Sequence, residues 1–146
     1  SALCTARGLA DGGRLLCCDV SEEWTAVGRP FWEQAGVVDR IDLVIAPALD
    51  TLRRLPADPP IDLAFIDADK TGYRDYYEEI LARLAPQGVI LVDNTLWSGQ
   101  VLADSGADDA DTAALRAFND HVATDQRVEV AQLTVGDGVT MIRRRG

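Results

Sequence analysis

A chain of 146 residues, of which 47% are hydrophobic, is long enough to form one globular domain with a sizeable core. The formal net charge of −10 at pH 7 argues against a nucleic-acid partner, because an acidic surface repels the phosphate backbone. No apolar stretch reaches the roughly 18 residues of a membrane span, and no basic leader precedes the first predicted strand. We therefore expect a cytoplasmic protein without a membrane partner.

Short apolar runs alternate with helix-length segments, a pattern typical of a mainly parallel sheet covered by helices. Strands buried on both faces are predicted at 14–20, 41–47, 61–68 and 88–94. Ser21 is the predicted N-cap of the first crossover helix, and Gly36 is expected to end it. Apolar and aromatic residues at three- and four-residue steps predict an amphipathic helix over 72–85, which the segment "APQG" ends.

The last part of the chain has a different pattern. A helix is predicted at 112–123, and two β-rich runs follow at 128–135 and 139–144. Gly136, Asp137 and Gly138 separate these runs and predict a hairpin turn. We therefore predict a mixed sheet with a C-terminal antiparallel pair. Since no linker or repeat divides the chain, we also predict a single domain over 1–146.

Several residues are expected to be structural. Cys4, Cys17 and Cys18 are odd in number, and the adjacent pair would point to opposite faces of a strand. This favours reduced, buried thiols over a disulfide framework. Four aromatic residues at helical spacing are expected in the core or in subunit contacts: Trp24, Trp32, Tyr73 and Tyr76. The single histidine, His121, lies on a predicted helix far from the strand ends and is expected to be structural.

Acidic residues stand at the carboxyl ends of the predicted strands, where open α/β sheets bind ligands. Asp19 ends one strand, Asp67 and Asp69 follow another, and Asp93 with Asn94 ends the next. If the last two strands are neighbours, about 4.8 Å apart, Asp67, Asp93 and Asn94 can share one cation. Oxygen ligands favour Mg²⁺, with Ca²⁺ or Mn²⁺ as alternatives, over zinc. The simpler interpretation, that such residues only cap turns and helices, stays open for each of them alone.

Three segments, "FIDADKTGY", "GVILVDNTLWSG" and "VEVAQLTVGDGVTMIRR", closely resemble the cation-dependent O-methyltransferases of the caffeoyl-CoA and catechol type, which use S-adenosylmethionine. The likeness extends through "DVSEEWTAVGRPFWEQAGVVDRI" and "APALDTL" to nearly the whole chain. The resemblance implies a Rossmann-like, doubly wound α/β fold of the class I methyltransferase type. It also implies a first strand and a glycine-rich turn before Ser1, so we expect the chain to represent the family's domain without its N-terminal part.

The resemblance implies roles for individual residues. The divalent cation would be bound by Asp67, Asp93 and Asn94. The cofactor would be bound at its ribose, adenine and methionine parts by Asp19, Ala48 and Asp67. Lys70 matches the candidate general base, and the expected acceptor pocket lies near Asp69, Trp97 and Ser98. The loop at 104–111 matches an insertion that helps to shape that pocket.

The implied reaction transfers a methyl group to a hydroxyl of a small aromatic diol, and the implied assembly is a homodimer. Chelation by a cation makes such a hydroxyl acidic and orients it towards the sulfonium methyl. Lys70, the only lysine in the chain, would accept the proton or stabilise the phenolate as a cation. Its neighbours Asp67 and Asp69 favour the charged form.

Two other classes of function stay open. A non-catalytic relative, or an inactive fragment, would keep cofactor-binding residues without turnover. A receiver-like signalling domain also holds Mg²⁺ between strand-end aspartates, but it requires an acidic pair after its first strand and a lysine after a later strand. Lys70 stands only three residues after Asp67, which disfavours that alternative.

Overall fold

The computed structural model describes residues 1–102 and 109–146, which fall into two compact units, Ser1–Arg54 and Leu55–Gly146. The first unit contains helices α1 (Ala2–Gly8), α2 (Glu22–Gln34) and α3 (Ala48–Arg54) and strands β1 (Leu15–Asp19) and β2 (Ile41–Ile45). The second contains helices α4 (Tyr73–Arg83) and α5 (Ala110–Thr124) and strands β3 (Ile61–Ile66), β4 (Leu84–Val92), β5 (Val128–Leu133) and β6 (Val139–Arg144). Within the described ranges, no helix is long and apolar enough to cross a membrane. A single domain over the whole chain stays a prediction.

The strand pairing is that of a mixed α/β architecture. In the first unit β1 and β2 pair in parallel, with Leu15 opposite Ile41 and Asp19 opposite Ile45. In the second unit the order is β3-β4-β6-β5, in which β3 and β4 are parallel and β6 is antiparallel to both of its neighbours. The predicted parallel strands and the C-terminal antiparallel hairpin are confirmed.

The first unit has its own small core around α2. The helix begins where predicted, because the Ser21 hydroxyl accepts a hydrogen bond of 3.2 Å from the amide of Trp24. Trp32 packs with Ala6 and Val37 in the core, as predicted. Trp24 is 79% exposed, so it lies outside the core, and its predicted alternative place in a subunit contact stays a prediction. It stands on a face of α2 that no other element of the unit covers.

The three cysteines are free, but they are not all buried as predicted. Cys17 and Cys18 are half-buried in β1, and Cys4 is exposed on α1. Burial raises the pKa of the Cys17 and Cys18 thiols, which keeps both thiols protonated and unreactive.

One face of the four-stranded sheet is buried under α4 and α5. The buried strand residues alternate along each strand: Ala64, Ile66, Ile90, Val92, Thr140 and Ile142. On the opposite face of β3, Leu63 and Phe65 are 51% and 42% exposed. The prediction of burial on both faces is therefore wrong for β3, because within this unit helices cover only one side of the sheet.

The boundary between α4 and β4 also differs from the prediction. The helix ends at Arg83 and the strand begins at Leu84, so "APQG" lies inside β4 instead of forming a separate turn. A Cβ on Gly88 would lie 2.8 Å from the Ile61 carbonyl oxygen, so glycine permits β3 and β4 to approach closely here. A 3₁₀ turn at Lys70–Gly72 precedes the helix.

Two fully buried tyrosines join α4 to α5. The rings of Tyr73 and Tyr77 contact the ring of Phe118 edge-on, at centroid distances of 5.7 and 6.1 Å. Each buried hydroxyl requires a partner. The Tyr77 hydroxyl donates to Asp125 at 2.7 Å, and the Tyr73 hydroxyl donates to the Asp93 carbonyl oxygen at 3.2 Å.

The Asp125 carboxylate belongs to an ionic cluster at the C-terminal end of α5. Arg127 donates to Asp125 at 2.6 Å and to Glu78 at 2.7 Å, and the His121 ring lies 2.9 Å from Glu78. The side chain of Asp125 is buried, so its charge depends on these partners. His121 therefore has a structural environment on α5, as the sequence predicted.

The hairpin turn between β5 and β6 contacts the loop that follows β4. The amide of Thr95 donates to the Gly138 carbonyl at 3.1 Å, and the amide of Leu96 donates to the Asp137 carbonyl at 3.0 Å. The Asp137 carboxylate accepts a further hydrogen bond of 2.5 Å from the amide of Ser98. The turn thus fixes the backbone of residues 95–98.

Substitution of the two glycines of this turn should have unequal effects. Gly136 has a φ of 58° and open space around it, so Gly136→Ala should lose ~1 kcal/mol of the free energy of unfolding through backbone strain. At Gly138, with a φ of 84°, a Cβ would also lie 2.5 Å from Leu96 Cγ. We expect Gly138→Ala to lose ~2–4 kcal/mol, because the loop must shift as well. Urea unfolding measures both, and equal losses would contradict the close contact between turn and loop.

The stability that Asp125 provides should depend on pH. Hydrogen bonds from Arg127 hold the pKa of Asp125 well below its usual value of 3.8. A carboxyl with a lowered pKa stabilises the fold above its ordinary pKa, and this contribution is lost as the pH falls towards the lowered value. Asp125→Asn should therefore lose ~1–3 kcal/mol at pH 7. Urea unfolding should show that loss shrinking below about pH 4.

The exposed Asp120 on α5, the helix that Asp125 follows directly, provides the matched control, since Asp120→Asn makes the same chemical change outside the cluster. The control should differ little from the wild type at either pH. A loss for Asp125→Asn that is equal at neutral and acid pH would show that packing, and not the carboxylate charge, is its source.

Candidate functional site

The site begins where β3 and β4 end side by side. The amide of Asp93 donates to the Ile66 carbonyl at 2.9 Å, which joins the carboxyl ends of the two strands. Asp67 follows Ile66 directly, and Asp93 and Asn94 follow the last residue of β4. The parallel pairing thus brings these three polar side chains to one edge of the sheet, as the sequence predicted for neighbouring strands.

Lys70 lies at this edge and is buried, with 8% of its surface exposed. Its Nζ donates to Asn94 Oδ1 at 2.8 Å, to the Ala68 carbonyl at 3.1 Å and to the Tyr73 hydroxyl at 2.6 Å. Asp67 Oδ1 lies 3.6 Å from the same nitrogen. Since an ammonium group has three hydrogens and a neutral amine only two, three acceptors suit the charged form of Lys70.

The Trp97 ring lies on another side of the ammonium group. Nζ of Lys70 lies 5.5 Å from the ring centroid of Trp97, and it lies 4.8 Å from that of Tyr73 on the side of the hydroxyl that it contacts. Such distances allow cation–π attraction. A positive charge is therefore favoured here both by the oxygen atoms and by the rings.

The loop after β4 has unusual backbone geometry. Three residues that are not glycine have positive φ: Asn94 at 58°, Trp97 at 48° and Ser98 at 52°. Asparagine tolerates this conformation, but tryptophan and serine adopt it at a cost. The bonds to Asp137 and Gly138 offset that cost, and the Asp93 carboxylate accepts a hydrogen bond of 2.7 Å from the amide of Asn94.

The donor set at this edge fits a hard divalent cation. Asp67 and Asp93 provide carboxylate oxygens and Asn94 provides an amide oxygen. The Lys70 ammonium already stands as a positive charge against Asn94 Oδ1 and beside Asp67 Oδ1. All-oxygen ligands of this kind suit Mg²⁺, Ca²⁺ or Mn²⁺. The residues present therefore fit such an ion, and their role as its ligands stays a prediction.

A second group of potential ligand atoms lies elsewhere in the described part of the chain. Glu78, His121 and Asp125 bring three such atoms within 4.8 Å of one another. Arg127 already donates to both carboxylates, and it lowers the pKa of Glu78 as well as that of Asp125. These charges are satisfied by a guanidinium group, so the cluster stabilises the fold instead of offering a site for a metal ion.

The predicted acceptor residues have local partners in the structure. Asp69 is exposed, and its carboxylate accepts a hydrogen bond of 2.6 Å from the Tyr76 hydroxyl. Trp97 is half-buried beside Lys70, whereas Ser98 is exposed and is bound through its amide to Asp137. Contact between these residues and an acceptor stays a prediction. Of the predicted loop at 104–111, residues 104–108 lie outside the described part of the chain.

Two predicted cofactor residues belong to the first unit. Asp19 is the exposed last residue of β1, and its Oδ1 accepts a hydrogen bond of 2.8 Å from the amide of Ser21. This is the turn-capping bond that the simpler interpretation of Asp19 expects. Ala48 is the half-buried first residue of α3. Binding of a cofactor by Asp19, Ala48 or Asp67 stays a prediction.

Two residues that hold the site together were not predicted from the sequence. Tyr73 was expected only as a core or subunit contact, yet its hydroxyl contacts Lys70. Lys70 and Tyr73 are three residues apart at the start of a helix, and this spacing could have predicted their contact. Asp137 gave no comparable signal, because it lies 39 residues from Ser98 in the sequence.

Comparison with known proteins places the chain among longer relatives. The family model described as "O-methyltransferase" matches residues 1–145. A Dictyostelium discoideum protein named "Probable caffeoyl-CoA O-methyltransferase 2" is 40% identical over 147 residues, which cover 99% of this chain and 64% of the relative. Caffeoyl-CoA O-methyltransferase 2 of Zea mays is 41% identical over 159 residues, covering 99% and 58%. The chain thus spans less than two thirds of the length of these relatives.

Solved structures show the same likeness in three dimensions. An O-methyltransferase from Bacillus cereus in complex with SAH has a TM-score of 0.88 and 32% identity, covering 99% of this chain and 68% of that one. TomG from Streptomyces achromogenes, involved in tomaymycin synthesis and in complex with SAM, has a TM-score of 0.89 and 28% identity, with the same coverage. The predicted fold class is confirmed by this likeness.

Proposed function

This chain belongs to the O-methyltransferase family, and on that premise we propose that its protein transfers a methyl group from S-adenosylmethionine to a hydroxyl of a catechol-like small molecule, with a divalent cation. The observation that carries the proposal is the Lys70 ammonium, held against Asn94 Oδ1 and beside Asp67 Oδ1 where β3 and β4 end. Family membership sets aside the receiver-like alternative.

The relatives' names support the kind of acceptor. Two of them are named for the caffeoyl group, whose ring has two adjacent hydroxyls. Such a pair of oxygens can bind one cation together. An edge with three oxygen-bearing side chains leaves room in the coordination sphere of an ion for two more oxygens, which suits a vicinal diol.

The proposed ligands of the cation are Asp67, Asp93 and Asn94, and Mg²⁺ is the ion that we favour. When bound, Mg²⁺ would supply Lewis-acid chemistry, lowering the pKa of a hydroxyl that it contacts. The proposed cofactor residues are those that the resemblance implies: Asp19 for the ribose, Ala48 for the adenine and Asp67 for the methionine part. A homodimer and a cytoplasmic location stay predictions from the sequence.

In the proposed reaction the substrate oxygen uses a lone pair to form a bond to the methyl carbon. The carbon–sulfur bond breaks and its electrons stay on sulfur, so the sulfonium becomes a neutral thioether. The hydroxyl proton leaves the oxygen for solvent or a base. Electrostatic stabilisation of the phenolate and alignment of the two partners provide the acceleration.

We assign Lys70 the part of a fixed cation beside the phenolate. Its three hydrogens are committed to Asn94, Ala68 and Tyr73, so it would have to release one of these bonds before accepting a proton. Trp97 and Asp69 are proposed to shape the acceptor pocket together with Ser98. The half-buried ring of Trp97 beside the ammonium provides an apolar surface of the kind that an aromatic acceptor requires.

The first test is methyl transfer by the full-length protein from labelled S-adenosylmethionine to caffeic acid. Turnover should require Mg²⁺ and disappear with EDTA. p-Coumaric acid, which has one ring hydroxyl in place of two, is the matched control and should not be methylated. Equal turnover of both acids, or turnover in EDTA, would overturn the proposal that the acceptor is a diol chelated by a divalent cation. Cofactor binding without turnover of any diol would favour the non-catalytic relative.

Substitution of Lys70 should separate its two possible roles. Lys70→Met should lower kcat ~100-fold or more, because the charge beside the phenolate is lost. Lys70→Arg keeps a positive charge but cannot act as a base. We expect it to retain clearly more activity than Lys70→Met, and urea unfolding checks that both variants fold. Equal inactivity of two folded variants would favour Lys70 as the base, and full kcat in Lys70→Met would remove it from the mechanism.

A further inference from the structure

Tyr73 connects the candidate site to the protein core. It is the first residue of α4 and is fully buried. Lys70 Nζ lies 2.6 Å from its hydroxyl, and that hydroxyl lies 3.2 Å from the Asp93 carbonyl oxygen. The phenol oxygen therefore stands between the catalytic lysine and the backbone of a proposed cation ligand.

The direction of these two hydrogen bonds is fixed by chemistry. An ammonium group donates only, so the Tyr73 hydroxyl accepts from Lys70. Its single hydrogen then points to the Asp93 carbonyl oxygen, which accepts only.

The buried ring of Tyr73 holds this hydroxyl in a fixed position. Tyr73 and Phe118 contact edge-to-face at 5.7 Å with an interplanar angle of 84°, and Phe118 is buried on α5. A lysine side chain is long and flexible, with large rotamer entropy. Its position here is thus set by its acceptors, and of these the Tyr73 hydroxyl belongs to a side chain that the core holds.

Loss of the Tyr73 hydroxyl would leave the Lys70 ammonium with fewer acceptors. The remaining acceptors are the Ala68 carbonyl, Asn94 Oδ1 and, at 3.6 Å, Asp67 Oδ1. The last two are atoms that a divalent cation is proposed to take. A freed ammonium would compete for them, and the peptide between Asp93 and Asn94 would lose a bond that fixes it.

We infer that Tyr73 is a positioning residue, whose hydroxyl holds the Lys70 ammonium and the Asp93 carbonyl in the places that binding of a divalent cation requires. The part of this inference that concerns the cation rests on the proposed function. The part that concerns the position of Lys70 does not, because it can be measured without metal or cofactor.

The chain provides a matched control at Tyr77. Tyr77 is also fully buried on α4 and also contacts Phe118 edge-on, at 6.1 Å. Its hydroxyl donates to Asp125 instead of contacting the site. Tyr73→Phe and Tyr77→Phe therefore remove the same atom from the same helix, and only the first removal reaches Lys70.

Lys70 is the only lysine of these 146 residues and gives a probe of the site. In full-length protein grown with lysine labelled with ¹³C at Cε, the Lys70 signal is the one that Lys70→Arg removes. Its Nζ lies 4.8 Å from the ring centroid of Tyr73 and 5.5 Å from that of Trp97. In metal-free protein we expect Tyr73→Phe to shift this signal and Tyr77→Phe to leave it in place. Urea unfolding confirms that both variants fold, since each keeps its ring in the core.

Mn²⁺ then tests the proposed cation site, because its unpaired electrons broaden the signals of nearby nuclei. Wild type and Tyr77→Phe should lose the Lys70 signal at similar Mn²⁺ concentrations. Tyr73→Phe should need ~10–100-fold more Mn²⁺, as is typical when a group that orients metal ligands is removed. Glu78→Gln, which alters the second cluster, should behave as the wild type.

The outcomes distinguish the two proposals. If the wild-type signal resists Mn²⁺, the proposed cation site fails, and the metal-free shift alone decides whether Tyr73 positions Lys70. If Mn²⁺ broadens the wild-type signal but Tyr73→Phe matches Tyr77→Phe in both measurements, the positioning role is wrong and the cation site stands.

Discussion

The arrangement around the Lys70 ammonium is the interaction on which the second unit's polar edge depends. A buried charge is costly unless it is paired and hydrogen-bonded. Here it has three acceptors from three parts of the chain: the turn after β3, the start of α4 and the loop after β4. Each acceptor must keep its place for the charge to remain satisfied. The lysine therefore adds to the β3–β4 pairing, the packing of α4 on the sheet and the Tyr73–Asp93 hydrogen bond in fixing the relative positions of these elements.

The antiparallel β5–β6 hairpin also holds the loop after β4 that carries the candidate site. Residues 94–98 include three positive φ values outside glycine, a conformation that the loop alone would not keep. The turn between β5 and β6 supplies the hydrogen-bond acceptors that hold it, through Asp137 and Gly138. The C-terminal pair thus does more than extend the sheet. Its register on β4 determines where Asn94 and Trp97 point, so stability of the hairpin and geometry of the site are linked.

Local patterns and tertiary contacts account for what the sequence could and could not predict. The adjacency of Asp67 and Asp93 was predictable, because parallel pairing brings the carboxyl ends of neighbouring strands together. The N-cap at Ser21 was predictable from one residue type. The exposure of Leu63, Phe65 and Trp24 was not, because apolar composition does not say whether another element covers a face. The early start of β4 at Leu84 was hidden by Pro86 and Gly88, which usually end strands but here stand inside one.

The surroundings of Arg127 and of Lys70 differ in how far the nearby carboxylates are already hydrogen-bonded. Around Arg127, both carboxylates receive short hydrogen bonds, and the side chain of Asp125 is buried beneath them. An ion could enter only by displacing a guanidinium that already matches their geometry. Around Lys70, the nearer carboxylate oxygen of Asp67 lies 3.6 Å away, beyond a good hydrogen bond, and that side chain is 48% exposed. A carboxylate that lies beyond good hydrogen-bond distance from Lys70 and still faces solvent is the observation that supports Asp67 as a proposed ligand of a divalent cation.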